Sequence, residues 1–246
     1  MEQIKPNFLH FKLDKKNIIK ELNSEEINII KEKYKLSLFF RFKRKVKFWL
    51  NFVKNLIFLS ENQPFIKSRT LDNVKKKYDN ISGKYIEKYL DKKSSFIAEI
   101  DEDKKVVQLK GTYERYYSDF LLNLTKKIKF NSILEVGAGE LTLIAELLNK
   151  LKKKENFKKG ALDISYHRLN KGQNFLKKKK INLHHIIKGD AANQPFADNS
   201  FDIVYTSHCL EQVPHLFNRI VNECVRVSKK YVIFIEPSYE FGSDVT

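Results

Sequence analysis

A glycine loop and three carboxylates carry the chemistry this sequence offers. Gly137-Ala138-Gly139 follows the apolar run Ile133-Leu134-Glu135-Val136 and precedes Leu141 to Leu148, which resumes at helical spacing. That order describes a buried strand, a tight turn suited to glycine, and a helix N-terminus. Such a loop brings a ligand against bare backbone N–H groups, as nucleoside sites do. Asp163 ends a second apolar run, 24 residues beyond Gly139. A carboxylate there can accept both hydroxyl protons of a ribose in charge-assisted hydrogen bonds. The spacing slightly exceeds the roughly 20 residues expected of that pairing, and the Lys-rich stretch 150–159 holds the extra residues. Asp190-Ala191, Ser207-His208 and Glu236 follow three further apolar runs.

The elements that must position these groups alternate along residues 110–246. Helical patterns at 113–128, 141–151, 167–177 and 216–227 interleave with strand patterns at 133–136, 159–162, 183–187, 201–205 and 231–235. Strands alternating with helices predict a parallel sheet covered on both faces. Ligands of such sheets sit beyond the carboxyl ends of the strands, near the switch point. Every polar group named above lies just after a strand or at its end. The fold class is therefore α/β: a Rossmann-like, doubly wound, mostly parallel sheet, short at its C-terminal end, with a helical N-terminal extension.

Residues 1–109 form that extension, which is basic and mainly helical. Ser24 suits a helix N-cap for 23–34. From 36 to 59, Phe39, Phe42, Val46, Trp49, Leu50 and Val53 recur at helical spacing among arginines and lysines. A basic helix with an aromatic face can lie on a membrane surface, giving a peripheral membrane contact. It can equally pack on the next domain, and apolar stripes at this spacing are most often core. Gln63-Pro64 ends the pattern. Residues 75–90 predict another helix, with Tyr78, Tyr85 and Tyr89 on its face, and 96–100 with 105–109 predict a hairpin around an acidic turn.

Composition bounds the partners. The chain has 246 residues and a formal charge of +17, from 47 Lys+Arg against 30 Asp+Glu. Such a balance first suggests nucleic acid or an anionic membrane. Lysine makes up most of the basic residues, 40 of 47, and with abundant Asn and Ile this fits a compositional bias plus solubility better than a dedicated basic face. The two cysteines, Cys209 and Cys224, form no C-x-x-C and no metal spacing, so no metal site is expected and a reducing cytoplasm fits. No signal-peptide pattern and no apolar run long enough to span a bilayer is read from the sequence.

Residues 110–246 resemble a class I S-adenosylmethionine-dependent methyltransferase of the small-molecule, Methyltransferase-11-like type. The resemblance rests on four motifs in order: Leu134-Glu135-Val136-Gly137-Ala138-Gly139, Leu162-Asp163-Ile164-Ser165, Gly189-Asp190-Ala191, and Pro195 to Val204. It implies that Gly137, Ala138 and Gly139 meet the methionine portion of S-adenosylmethionine, and that Glu135 orients that loop and the cofactor's ammonium. Asp163 would hold the ribose hydroxyls, with Ile164 against the adenine. Asp190 and the Ala191 N–H would meet the adenine edge, and Ser207 joins the same cofactor set. The loop after the fourth strand faces the methyl group in this family, so His208 is the candidate base, ahead of Glu211, His215, Glu236 and Tyr117.

Two positions depart from the family pattern. Leu141 replaces a third glycine, which implies altered packing of the loop on its helix. His208-Cys209-Leu210-Glu211-Gln212 lacks the family's second histidine, whose role cannot be transferred. The family sheet normally continues beyond the fifth strand, so the core is expected to be truncated there, unless the hairpin at 96–109 covers the free edge. The acceptor expected is a small molecule or a lipid-linked one. Nucleic acid is disfavoured, because the Pro-Pro-aromatic motif of nucleobase amino methylation is absent. An RNA methyltransferase using the lysines, or a non-catalytic cofactor-binding relic, are the alternatives.

Overall fold

Runs of β-branched and aliphatic residues buried on both sides favour parallel pairing, and five of them build the central sheet. The structure, a computed structural model, describes residues 18–26, 70–100, 105–126, 128–151 and 157–236. In chain order the described elements are β1 (Ile18–Glu21), α1 (Leu71–Asn80), α2 (Lys84–Leu90), β2 (Ser95–Ile100), β3 (Lys105–Lys110) and α3 (Tyr113–Thr125). The α/β core follows as β4 (Ser132–Val136), α4 (Thr142–Leu151), β5 (Lys158–Asp163), α5 (Tyr166–Lys179), β6 (His185–Lys188), β7 (Phe201–Ser207), α6 (Phe217–Val227) and β8 (Ser228–Ile235).

The larger sheet has the order β6-β5-β4-β7-β8, with every pairing parallel. The chain winds from β4 outward through β5 to β6, returns to the other side of β4 as β7, and continues to β8. The switch point therefore lies between β4 and β7, where Leu134 pairs with Val204. Alternate residues feed two cores. Ile133, Ile203 and Tyr205 pack with Leu121 of α3 and with Leu143 and Leu147 of α4. Leu134, Val136, Leu162 and Val204 pack with Ile220, Cys224 and Val227 of α6. Helices on both faces make the sheet doubly wound, as the alternation of elements predicts.

The N-terminal part differs from expectation in three places. The helix expected over 75–90 is two helices, because Gly83 takes a φ of +100° and turns the chain between them. The hairpin forms as β2 and β3, but it pairs with β1 in a separate antiparallel sheet of order β1-β3-β2. It therefore does not cover the outer edge of β8, whose Tyr231 and Phe234 are 45% and 39% exposed. Residues 36–59, and most of the helix expected over 23–34, lie outside the described residues.

Leu141 explains how the chain does without a third loop glycine. It holds a φ of +62°, a left-handed conformation that costs a side chain about 1 kcal/mol or more. Its side chain is fully buried, and room for it comes from Gly172 on α5, where a Cβ would stand 2.7 Å from Leu141 Cγ. A glycine displaced in sequence thus offsets the one missing from the loop.

Candidate functional site

The carboxyl ends of β4, β5, β6 and β7 open into one cavity of about 410 Å³, within the usual range of small-molecule sites. Glu135, Gly137 and Ala138 line it from the first loop, and Asp163 with Ile164 from the second. Asp190, Ala191, Ser207 and His208 complete the wall from the third and fourth. Nine of the ten residues singled out from sequence thus border one space. The tenth, Gly139, is covered by the Arg168 guanidinium, which lies 2.2 Å from where a Cβ on that glycine would stand. Gly137 is tight as well, since a Cβ there would come within 2.6 Å of Cys209 Sγ.

Backbone donors hold the carboxylates in place. The Gly139 N–H donates to Asp163 Oδ2 at 2.7 Å and the Ser165 N–H to Oδ1 at 2.8 Å, which ties the glycine loop to the start of α5. Burial pushes the Asp163 carboxyl up, while Arg168 and the two N–H bonds oppose the shift. Asp190 Oδ1 accepts the Ala192 N–H at 2.8 Å in an Asx-type turn. Glu135 Oε2 accepts the Ile144 N–H and the Tyr205 O–H, each at 3.1 Å, and burial still raises its carboxyl to about 8.

On the far wall His208 and Glu211 lie side by side, with Tyr117 in contact with the imidazole. His208 Nδ1 lies 3.2 Å from Glu211 Oε1, and Nε2 lies 3.0 Å from the Tyr117 hydroxyl. A carboxylate on Nδ1 keeps the proton there and leaves Nε2 as the basic nitrogen. His208 itself has a φ of +52°, backbone strain of the kind that clusters at functional sites. Glu236 accepts the Thr206 hydroxyl at 2.7 Å and the Cys209 and Leu210 N–H groups at 3.1 Å, so it anchors the His208 loop. His215 is exposed and does not border the cavity.

Residues 71–90 close the cavity in a way the strand-end pattern does not foretell. Glu140, on the glycine loop, accepts the Gly83 and Ile86 N–H groups at 2.8 and 2.9 Å. It thereby caps α2, whose own N-cap residue offers no side chain. Arg168 stacks between the rings of Tyr78 and Tyr85, 4.7 and 4.8 Å from their centroids. Ser165 Oγ also donates to Asp79 on α1. Glu114, at the start of α3, lines the cavity as well. Inspection of strand ends misses it because it precedes β4, the first strand of the larger sheet.

Three polar atoms of cavity-lining residues, Ser207 Oγ, Glu114 Oε2 and Arg168 Nε, are buried with no hydrogen-bond partner. Such atoms, a glycine loop, and carboxylates at adjacent strand ends fit a nucleoside ligand carrying donor groups. Among the described residues no group of three His, Cys, Asp or Glu could hold a metal ion, and no helix is long and apolar enough to cross a membrane.

Residues 134–235 match the family described as Methyltransferase domain. No curated protein matches the chain. Among solved structures, a protein of Pyrococcus horikoshii OT3 is 23% identical over 52% of this chain and 55% of its own, with a TM-score of 0.44. A SAM-dependent methyltransferase of Aquifex aeolicus is 19% identical over 53% of this chain and 73% of its own, with a TM-score of 0.43. The [4+2]-cyclase SpnF is 16% identical over 65% of this chain and 57% of its own, with a TM-score of 0.47. The match to the Pyrococcus protein spans about half of that chain's length.

Proposed function

We propose that this chain, which carries a methyltransferase domain over residues 134–235, moves a methyl group from S-adenosylmethionine to a small-molecule or lipid-linked acceptor. The observation that carries the reading is the convergence of Glu135, Asp163, Asp190 and Ser207 from four different strand ends on one cavity. Asp163 and Ile164 would hold the ribose and adenine, Asp190 and Ala191 the adenine edge, and Gly137 and Ala138 the methionine portion. When bound, S-adenosylmethionine supplies a methyl group already activated by its sulfonium. The chain's own work is then alignment and exclusion of water, effects that can supply many orders of magnitude in rate.

His208 faces the same cavity, with Glu211 fixing its tautomer and Tyr117 its second nitrogen. This arrangement supports His208, once its Nε2 exchanges the Tyr117 hydroxyl for the acceptor, as the base for an acceptor that must lose a proton on methylation. The cavity's volume and its cover of α1 and α2 support a small acceptor or the end of a lipid-linked one, held beside Tyr113, His208 and Glu211.

Titration calorimetry with S-adenosylmethionine tests the central claim. Wild-type protein is expected to bind, and Asp163→Ala, checked for folding by circular dichroism, to bind at least about 10-fold more weakly, since hydrogen bonds to a charged group contribute about 1.5–3 kcal/mol. No heat of binding to the wild type, or an unchanged affinity in the variant, sinks the reading.

A further inference from the structure

Glu114 is 2% exposed, among the most deeply buried charged side chains of the described residues, and none of the cofactor contacts proposed above uses it. Its Oε1 accepts the Thr142 hydroxyl at 3.1 Å, while Oε2 has no hydrogen-bond partner and is sealed from bulk water. Leaving a buried carboxylate oxygen without a donor costs more than most single interactions return. The cavity that Glu114 lines is the place from which a bound ligand can supply that donor.

The position of Glu114 selects the kind of donor. Glu135 borders the same cavity, is 3% exposed, and binds the same turn: Glu114 reaches Thr142 and Glu135 reaches Ile144, both at the start of α4. Neither carboxylate forms an ion pair among the described residues. The cations on the cavity wall are Lys77 and Arg168, and Arg168 is engaged by Glu140, at 3.8 Å, and by two tyrosine rings. Asp163 and Asp190 belong to β5 and β6, on one side of β4. Glu114 comes from α3, which packs on α4 and on the side of the sheet that holds β7. A ligand whose ribose and base occupy the β5–β6 side extends its other end toward Glu114.

We propose that Glu114, with Glu135 beside it, binds the α-ammonium group at the amino-acid end of the cofactor. The assignment rests on reading the cavity as an S-adenosylmethionine site. An ammonium brings three donors and a positive charge, enough to serve the open Oε2 and to favour the ionised form of the buried acids beside it. Glu114 is then the residue that distinguishes a nucleoside bearing an amino acid from one that lacks it.

The test compares S-adenosylhomocysteine, which keeps the ammonium but has no sulfonium, with 5′-deoxy-5′-methylthioadenosine, which lacks the amino acid. Both are titrated calorimetrically into wild type and Glu114→Gln. The variant is expected to bind S-adenosylhomocysteine about 10-fold more weakly, the size of one charge-assisted hydrogen bond, with methylthioadenosine affinity within about twofold of wild type. Unchanged affinity for S-adenosylhomocysteine, or equal losses for both ligands, overturns the assignment to Glu114. Failure of the wild type to bind either ligand overturns instead the reading of the cavity on which it rests. A second measurement needs no variant. The analogue of S-adenosylhomocysteine with hydrogen in place of the ammonium should bind wild type about 10-fold more weakly than the parent, and equal affinity also overturns the proposal.

Discussion

Glu135 holds its proton into the neutral range because burial outweighs the hydrogen bonds from Tyr205 and Ile144 that favour its charge; Asp163 and Glu114 nearby add to the upward push. An unfolded chain ionises this group near the ordinary value of 4.5, whereas the folded protein keeps it neutral up to about pH 8. Its contribution to stability is therefore complete at low pH and lost as pH rises between those two values. Urea unfolding at pH 5 and pH 9 should show Glu135→Gln losing less stability across that interval than wild type, by an amount of the order of a few kcal/mol. Parallel losses in the two proteins would contradict the assignment. At the same scale, Asp163, Asp190 and His208 were legible in the sequence because each ends an apolar run. Glu114, Glu140 and Arg168 were not, since their roles depend on partners such as Gly83, which lies 57 residues from Glu140.

At the scale of elements, α1 and α2 are held to the core by polar contacts to a loop as well as by apolar ones, with Leu71 and Val74 of α1 and Ile86 and Tyr89 of α2 packed on it. Glu140→Ala would leave the Gly83 and Ile86 N–H groups without their acceptor, at a cost of about 1–3 kcal/mol. Hydrogen exchange read by mass spectrometry should then speed up across 71–90 while β4 stays protected. Unaltered protection of 71–90 would show that other contacts suffice. The core strands were readable because burial on both faces demands unbroken apolar runs, as in β4, where every residue is buried. The break between α1 and α2 was not, because Gly83 sits within an otherwise continuous helical spacing. β1 was missed for a different reason: four residues, Ile18–Glu21, show no alternation, and only pairing with β3 makes them a strand.

For the whole molecule, a charge of +17 and a cavity of about 410 Å³ point to different partners. If the lysines serve solubility, single-stranded RNA retained at about 50 mM salt should be released by about 200 mM, as expected when phosphate contacts alone hold it. Retention that survives the higher salt would favour RNA as the acceptor. The stretch 36–59 lies outside the described residues, and either packing or a membrane surface would suit its composition.

The stacked Arg168 has a consequence for timing. The guanidinium lies on Gly139, the rings of Tyr78 and Tyr85 hold it there, and α2 is pinned by Glu140 on the same loop. A ligand lodged behind Arg168 would be held in by α1 and α2 as well as by the loops. Release of a nucleoside from that space would then be coupled to opening of the helix pair, a step of the kind that paces turnover in many enzymes.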